Sequence, residues 1–215
     1  MSRTSSKQKP VKAVTRRGKA RTQVRVKAVR PKRRRKPLTW DALGRLDKSA
    51  VILLIWIYCL AHWVVRTLIA PVYTVEEAEQ LLMSQSLQLG YDAAHPPLLA
   101  WIFATLKMWP GLSPPLVFGV KYLLLFSGLT LFYLAARNVL VRPGVSAAAV
   151  ACWAMTFYIG WGAHEDLLNT VALMACLSMT LHAMTRILTW RRPRDWIYLG
   201  VAMGLGLLTS YLYIV

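Results

Sequence analysis

The sequence predicts an all-α integral membrane protein with about five transmembrane helices, interfacial helices in its first outer loop, and a disordered basic N-terminal tail. Three observations carry this prediction. Hydrophobic residues make up 56% of the 215 positions, although the chain holds 27 Lys and Arg, a combination that fits a membrane protein with a charged appendage. Five apolar stretches, about 49–70, 115–136, 145–162, 167–187 and 196–215, each approach or exceed the ~17 residues a helix needs to cross the hydrocarbon core. Finally, charge is segregated: sixteen Lys or Arg and no acid lie between Met1 and Trp40.

The basic segment, residues 1–45, holds too little apolar surface to offset the entropy of ordering it, so disorder is expected there. A spanning stretch follows within ten residues. Anionic lipid headgroups on the cytoplasmic leaflet, rather than nucleic acid, are therefore the expected partner of the tail, at about 1 kcal/mol per basic residue near the surface. No short apolar stretch with a small-residue cleavage site follows the basic region within the first thirty residues, so it does not read as a signal peptide. Residues 46–215 form the membrane module.

A sixth apolar stretch, Pro97 to Trp109, spans only about 20 Å as a helix against a core of about 30 Å. Positive-inside asymmetry supports keeping it out of the count. If 97–109 does not cross, the loop with Arg137 and Arg142 and the loop Arg186 to Asp195 both join the tail on the cytoplasmic side; if it crosses, both fall outside. It is thus expected to be an interfacial or re-entrant helix, anchored by Trp101 and Trp109. The acids Glu76, Glu77, Glu79 and Asp92 of one outer segment and Glu165 and Asp166 of another then share the non-cytoplasmic side, while Asp41, Asp47 and Asp195 stay inside.

Within the first outer segment, Val75 to Leu89 has the apolar spacing of a short amphipathic helix along the interface. Glu76 and Glu77 occupy its first turn, where the helix dipole favours carboxylates, so they read either as helix-start residues or as functional acids. Gly90-Tyr91 breaks this helix, and His95-Pro96-Pro97-Leu98 opens the next, prolines suiting a position whose backbone donors have no partner. His95 reads as a capping or interfacial residue. Lys121 lies inside an apolar span at a cost of roughly 2.5 to 3.5 kcal/mol near the centre, so it should face a polar cavity or a counter-ion, or snorkel. Arg66, at the outer end of the first span, fits snorkelling better. Glu165 and Asp166, preceded by His164, begin the fourth span and again read as a helix start or a site. His62 and His182 read as packing residues. Cys59, Cys152 and Cys176 lie in apolar stretches without metal-ligand spacing and read as small buried hydrophobes. No Walker loop, CxxC, HExxH or GxSxG pattern is present, which removes the chemistries those motifs serve.

The order of these features resembles the GT-C membrane glycosyltransferases that use polyprenyl-phosphate sugars, the protein O-mannosyltransferase and lipid A aminoarabinose transferase group. The matching residues are Glu76-Glu77-Ala78-Glu79, Gly90-Tyr91, His95-Pro96-Pro97-Leu98, Lys121, Glu165-Asp166-Leu167-Leu168 and the Gly-rich run Gly200 to Tyr211. The family more often has Asp where this chain has Glu76, Asp where it has Ala94, and Lys where it has Ser210. The resemblance implies an inverting, metal-independent glycosyltransferase moving a sugar from a polyprenyl-phosphate donor to a lipid, glycan or protein acceptor in the cell envelope. Glu76 or Glu77 would be the catalytic base, Lys121 would hold the donor phosphate, and Glu165 or Asp166 would be the supporting acid. His95, Pro96 and Pro97 form the family motif. No cofactor is implied, the lipid-linked sugar being a substrate. The expected location is the bacterial inner membrane, N-terminus cytoplasmic and site periplasmic. Family members continue through further spans, so Val215 is expected to end an N-terminal portion. The rival readings are a non-catalytic scaffold or accessory subunit with a polybasic tail and, third, a transporter, which an inverted repeat would favour.

Overall fold

Asp47 starts the first helix by capping it: its Oδ1 accepts from the Lys48 backbone N–H at 2.7 Å, a donor that a helix start leaves unpaired, and its Oδ2 accepts from the Ser49 hydroxyl at 2.6 Å. The computed structural model describes residues 47–91, 96–108, 111–140 and 142–214. The basic tail, Asp92, His95 and Trp109 lie outside the described residues.

The described elements are all helical. They are α1 (Lys48–Ile69), α2 (Val75–Met83), α3 (Leu98–Met108), α4 (Pro114–Val139), α5 (Pro143–Ala154), a π-helical turn (Tyr158–Gly162), the short α6 (Ala163–Glu165), α7 (Leu168–Trp190), α8 (Pro193–Thr209) and a closing 3₁₀ turn (Tyr211–Ile214). Three of them, α1, α4 and α7, are long and apolar enough to cross a membrane, and a fourth crossing results if α5 and the helical residues after it count as one bent span. The chain is an integral membrane protein.

Three expected elements come out differently. The third span is not one straight helix over 145–162, since it bends by 67° between Ala154 and Tyr158. At that break the Thr156 hydroxyl donates to the Trp153 carbonyl at 2.8 Å. A Cβ on Gly160 would meet the Ala154 carbonyl at 3.0 Å, so glycine permits the close return of the chain. The expected fifth span is the 17-residue α8, which ends at Thr209. The interfacial helix expected over 75–89 ends at Met83, where the Ser84 hydroxyl donates to the Leu81 carbonyl at 2.7 Å and opens a polar turn. The short α3, about 16 Å long at 1.5 Å per residue, starts on Pro97, whose carbonyl accepts from the Trp101 N–H at 2.9 Å. Its Trp101 indole donates to the Gln88 carbonyl at 2.8 Å, tying α3 to the loop after α2.

Helix α4 is the centre of the bundle and packs on α1, α5 and, most extensively, α7. Its stripe Phe118, Tyr122, Leu125, Leu129 and Tyr133 is buried with Val51, Ile55 and Cys59 of α1. At the α4–α7 crossing a Cβ on Gly128 would sit 3.2 Å from the Ala175 Cα, the small-residue approach by which apolar helices pack in lipid. A second cluster, Leu99, Phe103, Val117, Leu168 and Ala172, seats α3 against the starts of α4 and α7. The C-terminal end of α1 and the N-terminal ends of α4 and α7 thus lie together, with α2 and α3 beside them. At the other end of the bundle the Asn138 amide donates to the Thr185 hydroxyl at 3.1 Å. There too Arg186 donates to the buried Asp195 carboxylate through Nε at 2.8 Å and NH2 at 2.7 Å.

Candidate functional site

Glu77 lies at the third position of α2, where its side chain folds back over the helix start: Oε2 accepts from the Thr74 backbone N–H at 3.0 Å, one half of a capping box. The same carboxylate is fully buried and faces two cations. Arg66 at the end of α1 approaches Oε2 at 3.4 Å, and Lys121 in α4 approaches Oε1 at 3.5 Å. Lys121 is itself only 2% exposed. A lysine in an apolar span and a glutamate at an interfacial helix start therefore resolve each other's burial cost.

Glu76, one residue earlier, points a different way, since consecutive helical residues diverge by about 100°. Half-buried, its Oε2 accepts from the backbone N–H of Asn169 in the first turn of α7 at 3.0 Å. One helical turn along α2, the Gln80 amide donates to the Asn169 side-chain oxygen at 3.1 Å. The start of α2 is thereby joined to the start of α7. Burial pushes the Glu76 carboxyl above the ordinary glutamate value, and the nearby charges of Asp166 and Glu79 add to that rise, while the Asn169 N–H and Lys121 oppose it. Asp166 is half-buried too, and its Oδ1 is enclosed without a hydrogen-bond partner among the described residues.

Between the π-helical turn and α7 the chain is held by α1 and α4. The His164 ring shares hydrogen bonds with the hydroxyls of Tyr58, at Nε2 (2.7 Å), and Tyr122, at Nδ1 (3.2 Å). It also stacks on His62 with centroids 3.8 Å apart. Arg66 NH1 donates to the carbonyls of His164 (3.4 Å) and Glu165 (3.3 Å). The guanidinium spans both acidic segments, because NH2 bonds Glu77 and the Val72 carbonyl. An apolar cavity of about 920 Å³ opens between α1, α5 and the π-helical turn, with Tyr58 and His62 on its wall.

The structure brings Glu76, Glu77, Lys121 and Asp166 to one end of the bundle. It separates the members of each acidic pair by role: Glu77 is sealed in an ion pair and Glu76 is half-buried, while Asp166 lies in the field of Glu76 and Glu165 is exposed, offering its carbonyl to Arg66. Pro97 is buried at the start of α3, and Pro96 immediately precedes it; His95 falls outside the described residues. Arg66 is a bridge rather than a snorkelling cation, and His62 is a stacking partner of His164 rather than simple packing. Cys152 is exposed, unlike Cys59 and Cys176. Gln80, Asn169, Tyr58 and Tyr122 had no signal in sequence, because their partners lie on other helices. Among the described residues no group of three or more His, Cys, Asp or Glu is placed to hold a metal ion.

Fold and cluster together define a polytopic, all-helical membrane protein with carboxylates and buried cations gathered at one end of its bundle. Residues 94–215 match the family model described as dolichyl-phosphate-mannose-protein mannosyltransferase. The chain belongs to this family of GT-C type membrane glycosyltransferases. It is similar to two curated proteins of Rhizobium johnstonii, the lipopolysaccharide core galacturonosyltransferases RgtA (29% identical over 78% of this chain) and RgtB (30% identical over 78%). Those alignments cover 33% and 34% of the relatives, so the chain spans about a third of the length of the proteins it matches. No solved structure matches the chain.

Proposed function

We propose that the chain carries the acid–base half of an inverting glycosyltransferase that moves a sugar from a polyprenyl-phosphate donor to a cell-envelope acceptor on the non-cytoplasmic face of the bacterial inner membrane. The observation that carries this reading is the meeting of Glu76 with Asp166 and Asn169 above the Arg66–Glu77–Lys121 network. Glu76 is the base. It takes the proton of the acceptor hydroxyl, whose oxygen bonds to the anomeric carbon as the carbon–oxygen bond to the phosphate breaks and its electrons leave with the polyprenyl phosphate. Burial and the charge of Asp166 raise the proton affinity of Glu76, which suits it to act as a base. Glu77 and Lys121 act differently from one another's free forms: locked together, they hold α2 on α4, and Lys121 contributes its field to the leaving phosphate rather than direct contact. The apolar cavity beside Tyr58 and His62 suits an isoprenoid chain. The names of the relatives point to galacturonic acid as the sugar and to a lipopolysaccharide core as the acceptor.

The test is transfer of labelled sugar from a polyprenyl-phosphate donor in membranes carrying the protein at its natural full length. Glu76→Gln should lower transfer by about 10² to 10⁴-fold with unchanged membrane insertion, and Glu76→Asp should retain part of it. Equal transfer by Glu76→Gln and the parent would remove Glu76 from the chemistry. Silence of the parent with every such donor would favour an accessory subunit.

A further inference from the structure

The connection from Gly162 to Leu168 is held more firmly than joining two helices requires. Leu167 sits at φ 61°, ψ 39° in the left-handed region, which is unfavourable for an L-residue and persists where the surroundings over-determine the backbone. Three sets of contacts do so immediately upstream. The His164 ring is bonded at both nitrogens to tyrosine hydroxyls of different helices. Its faces stack on His62 and, at 5.7 Å and 22°, on the Tyr122 ring. Its carbonyl and that of Glu165 accept from Arg66. Leu167 is flanked by Asp166, with its enclosed oxygen, and two residues further on comes Asn169, whose N–H reaches Glu76.

We propose that His164 is a positioning residue: clamped between Tyr58 and Tyr122, it fixes the turn that sets Asp166 and Asn169 against Glu76, and takes no part in proton transfer itself. This inference rests on Glu76 being the catalytic base. A neutral imidazole has one donor and one acceptor nitrogen, so one tyrosine accepts from it and the other donates to it. With both nitrogens engaged, neither is left to reach a substrate. The clamp also ties the wall of the apolar cavity, where Tyr58 and His62 lie, to the acidic segment, so the same ring is in contact with both parts of the site.

The test compares His164→Phe, which keeps an aromatic ring but loses both nitrogens, with His164→Gln, whose amide both donates and accepts. In the full-length protein His164→Phe should lower kcat at least tenfold with KM unchanged, and His164→Gln should recover part of the loss. The charged groups acting on Glu76 are Asp166, Glu79 and Lys121. Releasing the turn takes away the Asn169 N–H, which lowers Glu76 more than the charge of Asp166 raises it, so the rising limb of the pH–rate profile should move to higher pH. Hydrogen exchange at the amides of residues 166–169 should quicken in the same variant, a readout that does not depend on activity. If His164→Phe fails to insert, Tyr122→Phe, which removes one hydroxyl, should show the same changes at smaller size. A fall in kcat with pH limb and exchange unchanged would mean that the ring acts on the substrate, and unchanged kcat would mean packing alone; either overturns the proposal. Quickened exchange in a protein whose parent transfers no sugar would support the clamp and reject the enzymatic reading on which its purpose rests.

Discussion

Glu76 and Glu77 are neighbours with opposite energetic circumstances, and stability measurements separate them. Glu77 is the counter-charge of two cations, one of them as buried as itself. Removing one member of a buried ion pair leaves its partner uncompensated and typically costs about 3–5 kcal/mol. Glu77→Gln should thus destabilise the protein by about 3 kcal/mol, read as a lower unfolding midpoint in mild detergent. Glu76 is different, because burial and its acidic neighbours hold its carboxyl above the ordinary value. For an acid raised in this way the fold prefers the protonated form, so its contribution to stability is present at low pH and is lost as pH rises through the folded value. At neutral pH Glu76→Gln removes that burden while its amide oxygen can still accept from the Asn169 N–H. Its stability should stay within about 1 kcal/mol of the parent. An equal loss in both variants would contradict this division. The acids and Lys121 were legible in sequence because charged residues are conspicuous in an apolar chain. Asn169 was not, since it lies 93 residues from Glu76 and has no local pattern to announce it.

Among the elements, the long helices follow directly from apolar length, and α3 declares itself by being too short to cross. The bent third span was hidden for a physical reason. Its break depends on Thr156 and Gly160 returning to the preceding turn, and its exit depends on a left-handed Leu167, a residue that sequence reasoning would place in a right-handed helix. A comparison of Leu167→Gly with Leu167→Ala isolates that backbone cost, because both variants lose the leucine side chain and only glycine adopts positive φ without strain. The glycine variant should be the more stable by about 1 kcal/mol, measured as a difference in unfolding midpoint. Greater stability of the alanine variant would show that the turn is not strained in the membrane. Gly162 lies under this leucine: a Cβ there would come within 2.6 Å of Leu167 Cδ1, so the side chain packs over a glycine and partly explains how the turn is held.

At the scale of the whole molecule, the bundle has two chemically distinct ends. One collects Glu76, Glu77 and Asp166 with Arg66 and Lys121; the other carries Asn138, Thr185 and the Arg186–Asp195 pair. This polarity was legible in the distribution of charge, because leaving α3 out of the membrane puts both acidic segments on one side and both basic loops on the other. Helices α4 and α7 run in the same direction, as that arrangement requires, with their starts at the acidic end. The positive-inside rule predicts the cytoplasm for the end that carries the Arg-rich 186–195 loop. In a protein whose three native cysteines are replaced by serine, a cysteine at Gln85, in the exposed turn after α2, should react with a membrane-impermeant maleimide added to spheroplasts. A cysteine at Arg194, beside the buried Asp195, should react only after the membrane is opened. The opposite pattern would place the acidic end in the cytoplasm and with it any sugar transfer. Labelling of both from one side would mean that α3, despite its 11 residues, or the bent pair changes the number of crossings between them.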